Sequence, residues 1–277
     1  MMTSSAIRRT VFALMLALVA VPAAAQTGAG TQKPTPQKPY EPQVGQEGKD
    51  VVWVPTPQAL VDKMLELARV TPKDYLMDLG SGDGRTVITA AKRGVTAMGI
   101  EYNPDMVELS KKNAQEAGVA DKATFVKADL FETDFSKATV ITMFLLPQIN
   151  MKLRPTILDL KPGTRVVSNT FTMEDWEADE TASVTDDCTS WCTALLWIVP
   201  AKVEGTWTVG EQPLILTQQF QKISGTLGTT AISDGKLSGD EISFTAGGAK
   251  YTGRVNGNQM KGTISGGPAR SWTATRK

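Results

Sequence analysis

The chain has 277 residues, 29 of them basic, 29 acidic and none histidine, so its formal charge is zero. The missing histidine excludes a Ser-His-Asp or Cys-His hydrolase, an imidazole base and histidine-ligated zinc, and two cysteines are too few for a four-cysteine zinc site or an iron–sulfur cluster. Chemistry here falls to carboxylates, backbone amides, hydroxyls, amines or a reactive cofactor.

Residues 1–25 read as an export signal. Arg8 and Arg9 precede an apolar run of 11 residues, Val11–Val21. That run falls inside the ~7–15 residues of a signal's apolar region and short of the ~20 of a membrane span. Ala23-Ala24-Ala25 supplies a small-residue cleavage site, leaving Gln26 as the new N-terminus. The expected location is therefore exported, periplasmic or secreted, with no stable membrane span after cleavage. Arg8-Arg9 before Thr10-Val11-Phe12 also resembles a twin-arginine signal, the route for already folded proteins. Both export routes stay open. Residues 26–50 hold four prolines, four glycines and little that is apolar, which predicts a flexible tether.

The composition changes near residue 200. Residues 51–200 carry 15 basic and 21 acidic residues, a net of −6; residues 201–277 carry 9 and 5, a net of +4, with 13 of the 24 glycines. Two domains with these bounds are expected.

In the first, Thr56-Pro57 predicts a helix start, with threonine as cap, and Leu60, Val61, Met64, Leu65 and Leu67 recur on one face up to about Arg69. Tyr75–Leu79 reads as a buried strand, Thr86–Arg93 as a helix closed by Gly94, and Thr96–Glu101 as the next strand. Asn103-Pro104 opens a helix that Gly118 ends. Strands follow at Ala123–Lys127, Thr139–Leu145 and Thr164–Ser168, the last two separated by a helix around Met151–Leu160. This order predicts an α/β fold with a doubly wound, mostly parallel sheet. After residue 203 the pattern turns to alternating runs between φ-x-Gly and Asn256-Gly257 turns. It predicts an antiparallel all-β domain of six to eight strands, a small barrel or half-barrel.

The stretch Asp78-Leu79-Gly80-Ser81-Gly82-Asp83-Gly84-Arg85 falls at a strand-to-helix junction, where glycines let the backbone turn and approach a ligand. Glu101 ends the next strand, 21 residues after Gly80, where a carboxylate can accept from both hydroxyls of a ribose. The spacing G-x-G-x-G differs from the G-x-G-x-x-G that seats a pyrophosphate, and Asp83 inside the loop would repel a phosphate but tolerate a cationic ligand.

Asp78-x-Gly80-x-Gly82-x-Gly84, Glu101 and the Asp of Lys127-Ala128-Asp129 together resemble the class I S-adenosylmethionine-dependent methyltransferases, with a Rossmann-like seven-stranded sheet. The resemblance implies S-adenosyl-L-methionine as cofactor. Gly80, Gly82 and Gly84 would wrap its methionine part, Asp78 would orient that loop or meet the amino group through water, and Glu101 would bind the ribose. Asp129 would contact the adenine amino group, with Tyr102 and Leu130 flanking the ring. Val54-Pro55-Thr56-Pro57 and Asn103-Pro104 further resemble the protein-lysine methyltransferases of the mitochondrial ATP synthase c subunit and adenine nucleotide carrier, over about Val52 to Phe171.

The acceptor is less determined. Phe144-Leu145-Leu146-Pro147-Gln148 stands where nucleobase and glutamine amino-methyltransferases place Asn/Asp-Pro-Pro-aromatic, and neither cysteine follows a proline. No nucleic-acid partner and no metal site are expected, and no catalytic residue is singled out. A protein or small-molecule acceptor is expected, with a protein amine preferred because a lysine needs no strong base once desolvation lowers its pKa. The alternative is an envelope protein that binds the nucleoside without turnover. Glu174, Asp175, Glu177, Asp179 and Glu180 read either as a solvated loop or as an attractor for a cationic acceptor, and Trp53 and Trp176 either as ordinary packing or as walls of its channel. Cys188 and Cys192 can form a disulfide only if the chain between them is looped or helical.

Overall fold

The computed structural model describes residues 40–277; the expected signal and the start of the tether lie outside them. Seven strands, β1 (Tyr75–Leu79), β2 (Thr96–Glu101), β3 (Ala123–Lys127), β4 (Val140–Met143), β5 (Arg165–Asn169), β6 (Glu180–Ser183) and β7 (Thr193–Ile198), form one sheet in the order β3-β2-β1-β4-β5-β7-β6. The first five are parallel, and β7 lies antiparallel to both β5 and β6.

The two-residue period of a strand sends neighbours to opposite faces. Leu76 and Val140 pack with α1 (Gln58–Leu67), α2 (Arg85–Lys92) and α3 (Pro104–Glu116), through Leu60, Val87 and Val107 among others. Met77 and Ile141 face the other way, onto Ile149, Leu153 and Ile157 of α4 (Pro147–Leu158). Each such side chain stabilises the fold by about 1.5–3 kcal/mol, so this α/β sandwich is the rigid base of everything on its edges.

The helix starts show how local chemistry sets the bounds. Asn103 accepts from the backbone N–H of Asp105 at 2.9 Å and caps α3, with Pro104 at its first position. Thr56 is the expected cap of α1, but Pro57 takes that position and no side chain caps it. Thr56 Oγ1 instead accepts from Asn169 Nδ2 at 3.3 Å, tying the helix entry to the end of β5. The fourth helix begins at Pro147, earlier than the expected Met151, because Leu146 is extended before proline and proline suits a first helical position.

After Ile198 the chain crosses into eight antiparallel strands, β8 (Gly205–Val209), β9 (Gln212–Gln219), β10 (Lys222–Leu227), β11 (Thr230–Ser238), β12 (Glu241–Ala246), β13 (Ala249–Asn256), β14 (Gln259–Ser265) and β15 (Ser271–Arg276). β15 pairs with β8, so the barrel is closed and no edge remains exposed. Trp207, Leu214, Leu237, Phe244 and Trp272 fill it. The barrel is fastened to the sheet domain by Gln221, which donates to the Glu177 carbonyl at 2.8 Å, and by Lys222, which pairs with Glu177 at 2.7 Å.

Candidate functional site

The carboxyl ends of β3, β2, β1, β4 and β5 lie side by side, and a cavity of about 240 Å³ runs along them. Its lining passes from Asp129 and Leu130 after β3, through Glu101 and Tyr102 after β2, to Asp78, Gly80 and Gly82 after β1, and on to Phe144, Leu145 and Phe171. Seven of the eight expected cofactor residues therefore meet in one place. The eighth, Gly84, does not line the cavity. It sits at φ +83° before α2, and a Cβ there would come within 2.8 Å of the Phe125 ring, so its smallness serves the packing of α2 and α3 on the sheet.

The glycine loop is held from behind. Ser110 of α3 donates to the Gly82 carbonyl at 2.8 Å and Asn113 to the Asp83 carbonyl at 3.0 Å. On the same loop Gly82 N donates to Glu101 Oε2 at 2.9 Å. Glu101 Oε1 accepts from Asn103 N at 2.9 Å. A carboxylate offers about four lone-pair directions, so two remain for the two hydroxyls of a ribose. Asp83, inside the loop, is neutralised by Arg85 at 2.6 Å, and Arg85 also donates to the Thr56 carbonyl at 2.9 Å.

Asp78 is buried and accepts from Thr142 Oγ1 at 2.6 Å. Burial pushes its carboxyl up to about 7, against the lowering by Thr142 and with further raising by the Glu101 and Asp83 carboxylates. Such a group favours a cationic neighbour, which restores its charged form. Asp78, Glu101 and Asp129 in one cavity suit a ligand with an amino group, hydroxyls and a positive centre, and repel a pyrophosphate.

Two features of the site have no signal in the sequence. Gln46 to Asp50, inside the expected tether, line the cavity. Trp53 N donates to the Gln46 carbonyl and Gly45 N to the Trp53 carbonyl, which folds this segment into a strap. Lys49 Nζ on the strap donates to Asp129 Oδ2 and lies 5.1 Å from the centre of the Tyr102 ring. The cavity is smaller than the ~300–1,000 Å³ of sites for ligands of drug size, and Lys49 is what narrows its Asp129 end. The second feature is Trp191, in the loop between β6 and β7, which borders the opposite end. That loop is closed by a Cys188–Cys192 disulfide, Cα to Cα 5.8 Å, so the pair left open by spacing alone is bonded.

Two readings left open are resolved. Trp53 lines the cavity, but Trp176 is fully buried between Trp197 and Phe220, where its aromatic surface completes the core. The acidic run is not an open attractor either. Asp175 pairs with Arg154, Glu177 with Lys222 and Glu180 with Arg69, while Asp179 is partly buried and accepts from Ile198 N. Those acids bind β6, α4 and the barrel together, and none borders the cavity.

Comparison with known proteins places this geometry. The family model described as the ANTKMT methyltransferase domain matches residues 78–180. A protein-lysine N-methyltransferase of Saccharolobus islandicus is 45% identical over 139 residues, which cover 49% of this chain and 86% of that protein. The mouse lysine N-methyltransferase of the ATP synthase c subunit is 36% identical over 130 residues, and the chain spans about half of its length (52%). A crystal structure described as an RNA methyltransferase from Salinibacter ruber, in complex with S-adenosyl-L-homocysteine, is 50% identical with a TM-score of 0.51, covering 54% of this chain and 96% of that one.

Proposed function

The chain belongs to the family of S-adenosylmethionine-dependent methyltransferases to which these relatives belong, and on that premise we propose that it methylates an amine of a protein, a lysine-like side chain, outside the cytoplasm. When bound, S-adenosylmethionine would supply a methyl group on a cationic sulfur, which an amine that has given one proton to water would take in line, with S-adenosylhomocysteine as the leaving group. The chain's part is placement. Glu101 and Asp129 would hold the ribose and adenine ends, Gly80 and Gly82 would leave room for the methionine end, and Asp78 would meet its amino group directly or through water.

The carrying observation is the division of the cavity. Every ionisable lining residue comes from the strap or from the β1, β2 and β3 side, while β4, β5 and the loop before β7 contribute Met143 to Leu146, Ile149, Phe171 and Trp191. An ammonium entering that apolar end loses water and with it part of its hold on the proton, so a neutral amine forms without a histidine base. The named acceptors of the relatives differ, protein lysine for the Saccharolobus and mouse proteins and RNA for the Salinibacter one. A polyanionic acceptor would meet a domain of net charge −6 and a row of carboxylates, which favours the amine. Export is supported by residues 1–25 and by a disulfide, a bond that persists in oxidising compartments.

The test is transfer of labelled methyl from S-adenosylmethionine to poly-L-lysine and to total RNA, followed by hydrolysis. Methyllysine without labelled RNA supports the proposal; labelled RNA without methyllysine defeats it.

A further inference from the structure

We propose that Phe144, Phe171 and Trp191 form the acceptor subsite, taking an aliphatic amine side chain, and that the Cys188–Cys192 disulfide is the device that holds Trp191 in it. The inference rests on the amine reading and names the residues that would carry it.

The topology comes first. β7 runs antiparallel to β5, with Ala194 opposite Asn169, so the start of β7 lies at the same edge as the carboxyl end of β5. The loop from 184 to 192 is thereby delivered to the cavity, which a parallel strand would have kept at the far edge. Phe144 and Phe171 stack with ring centres 5.8 Å apart, and Trp191 meets Phe144 edge-on, also at 5.8 Å. Asn150 of α4 donates to the Phe171 and Thr172 carbonyls at 3.3 and 3.1 Å, which fixes that side of the wall from behind.

Trp191 has no such support from a neighbouring element. It is 43% exposed and sits at φ +54°, a left-handed conformation that a bulky residue keeps only where its surroundings impose it. The five-residue ring closed by Cys188 and Cys192 supplies that constraint. An indole at the mouth of a cavity, otherwise costly to leave in water, gains a purpose as one face of a cation-binding wall. During transfer, positive charge passes from sulfur to the attacking nitrogen as the N–C bond forms and the C–S bond breaks. Aromatic faces around the nitrogen stabilise that charge; the one proton released is the one the incoming ammonium gives to water before attack, and the methylated ammonium departs still charged.

The experiment uses the full chain with poly-L-lysine as acceptor and S-adenosylhomocysteine titration as the separate readout of the cofactor end. Trp191→Ala and the double variant Cys188→Ser/Cys192→Ser are expected to lower methyllysine formation at least tenfold, chiefly through KM for poly-L-lysine, and to leave S-adenosylhomocysteine affinity within about twofold. Trp191→Phe is expected to recover most of the rate, and reductant added to the wild type to reproduce the double variant. Unchanged transfer in either variant overturns the proposal, as does an S-adenosylhomocysteine affinity that falls in step with the rate. A wild type that binds S-adenosylhomocysteine but makes no methyllysine refutes the amine reading itself, a result distinct from variants that leave an active wild type untouched.

Discussion

Burial raises the Asp78 carboxyl to about 7, although Thr142 donates to it at 2.6 Å. The unfolded value is close to 3.8, so the folded state holds a proton that the unfolded chain has given up. The contribution to stability is complete below the unfolded value and is lost as pH rises through the folded one. Without ligand, the melting temperature is expected to decline between about pH 4 and 7, and Asp78→Asn to flatten that decline. A variant whose profile parallels the wild type across this window would remove Asp78 as its cause. Among the site residues, Asp78, Gly80, Gly82, Glu101 and Asp129 were readable because each is a residue type that its position in a βα unit requires. Trp191 was not, since its place depends on β7 reversing direction, which leaves no local pattern, and the cysteine pair around it left the loop's position open.

At the scale of elements, the strap and the barrel mark where sequence reasoning stopped. Four prolines and four glycines made residues 26–50 look unable to fold alone. The described end of that stretch, 40–50, need not fold alone, because Gly45 and Gln46 bond to the Trp53 backbone and Lys49 reaches Asp129 after β3. Lys49 holds the carboxylate expected to meet the adenine amino group, and the pair holds Asp129 below the usual carboxylate range and Lys49 above its own. Lys49→Met is therefore expected to raise S-adenosylhomocysteine affinity severalfold by calorimetry; an equal or weaker affinity would show that the strap does not compete. The barrel's strand count was readable from its turns, and its closure was not, since that rests on β15 meeting β8 across the domain. One place where it packs on the sheet domain is a glycine. Gly239 has φ +61°, and a Cβ there would lie 2.9 Å from Gly163 Cα. Gly239→Ala combines backbone strain with overpacking, so we expect a loss of about 1–3 kcal/mol in denaturant unfolding. A loss under about 0.5 kcal/mol, the range of ordinary surface changes, would mean that the two domains tolerate separation there.

For the whole molecule, the zero net charge hides a division between a domain of −6 around a cation-binding cavity and a barrel of +4. No described helix is long and apolar enough to cross a membrane. With the proposed cleavage after Ala25, cell fractionation is expected to find a form starting at Gln26 outside the cytoplasm; a cytoplasmic form retaining Met1 would overturn the export proposal. Binding and transfer alike depend on the row of carboxylates being the place where the cofactor is held. The most direct test is calorimetric titration of S-adenosylhomocysteine into the wild type and Glu101→Ala side by side. One saturable site is expected, weakened in the variant by about 1–3 kcal/mol through the lost ribose bonds and the freed glycine loop. No heat from the wild type at millimolar ligand, or equal affinities in the two proteins, would contradict it.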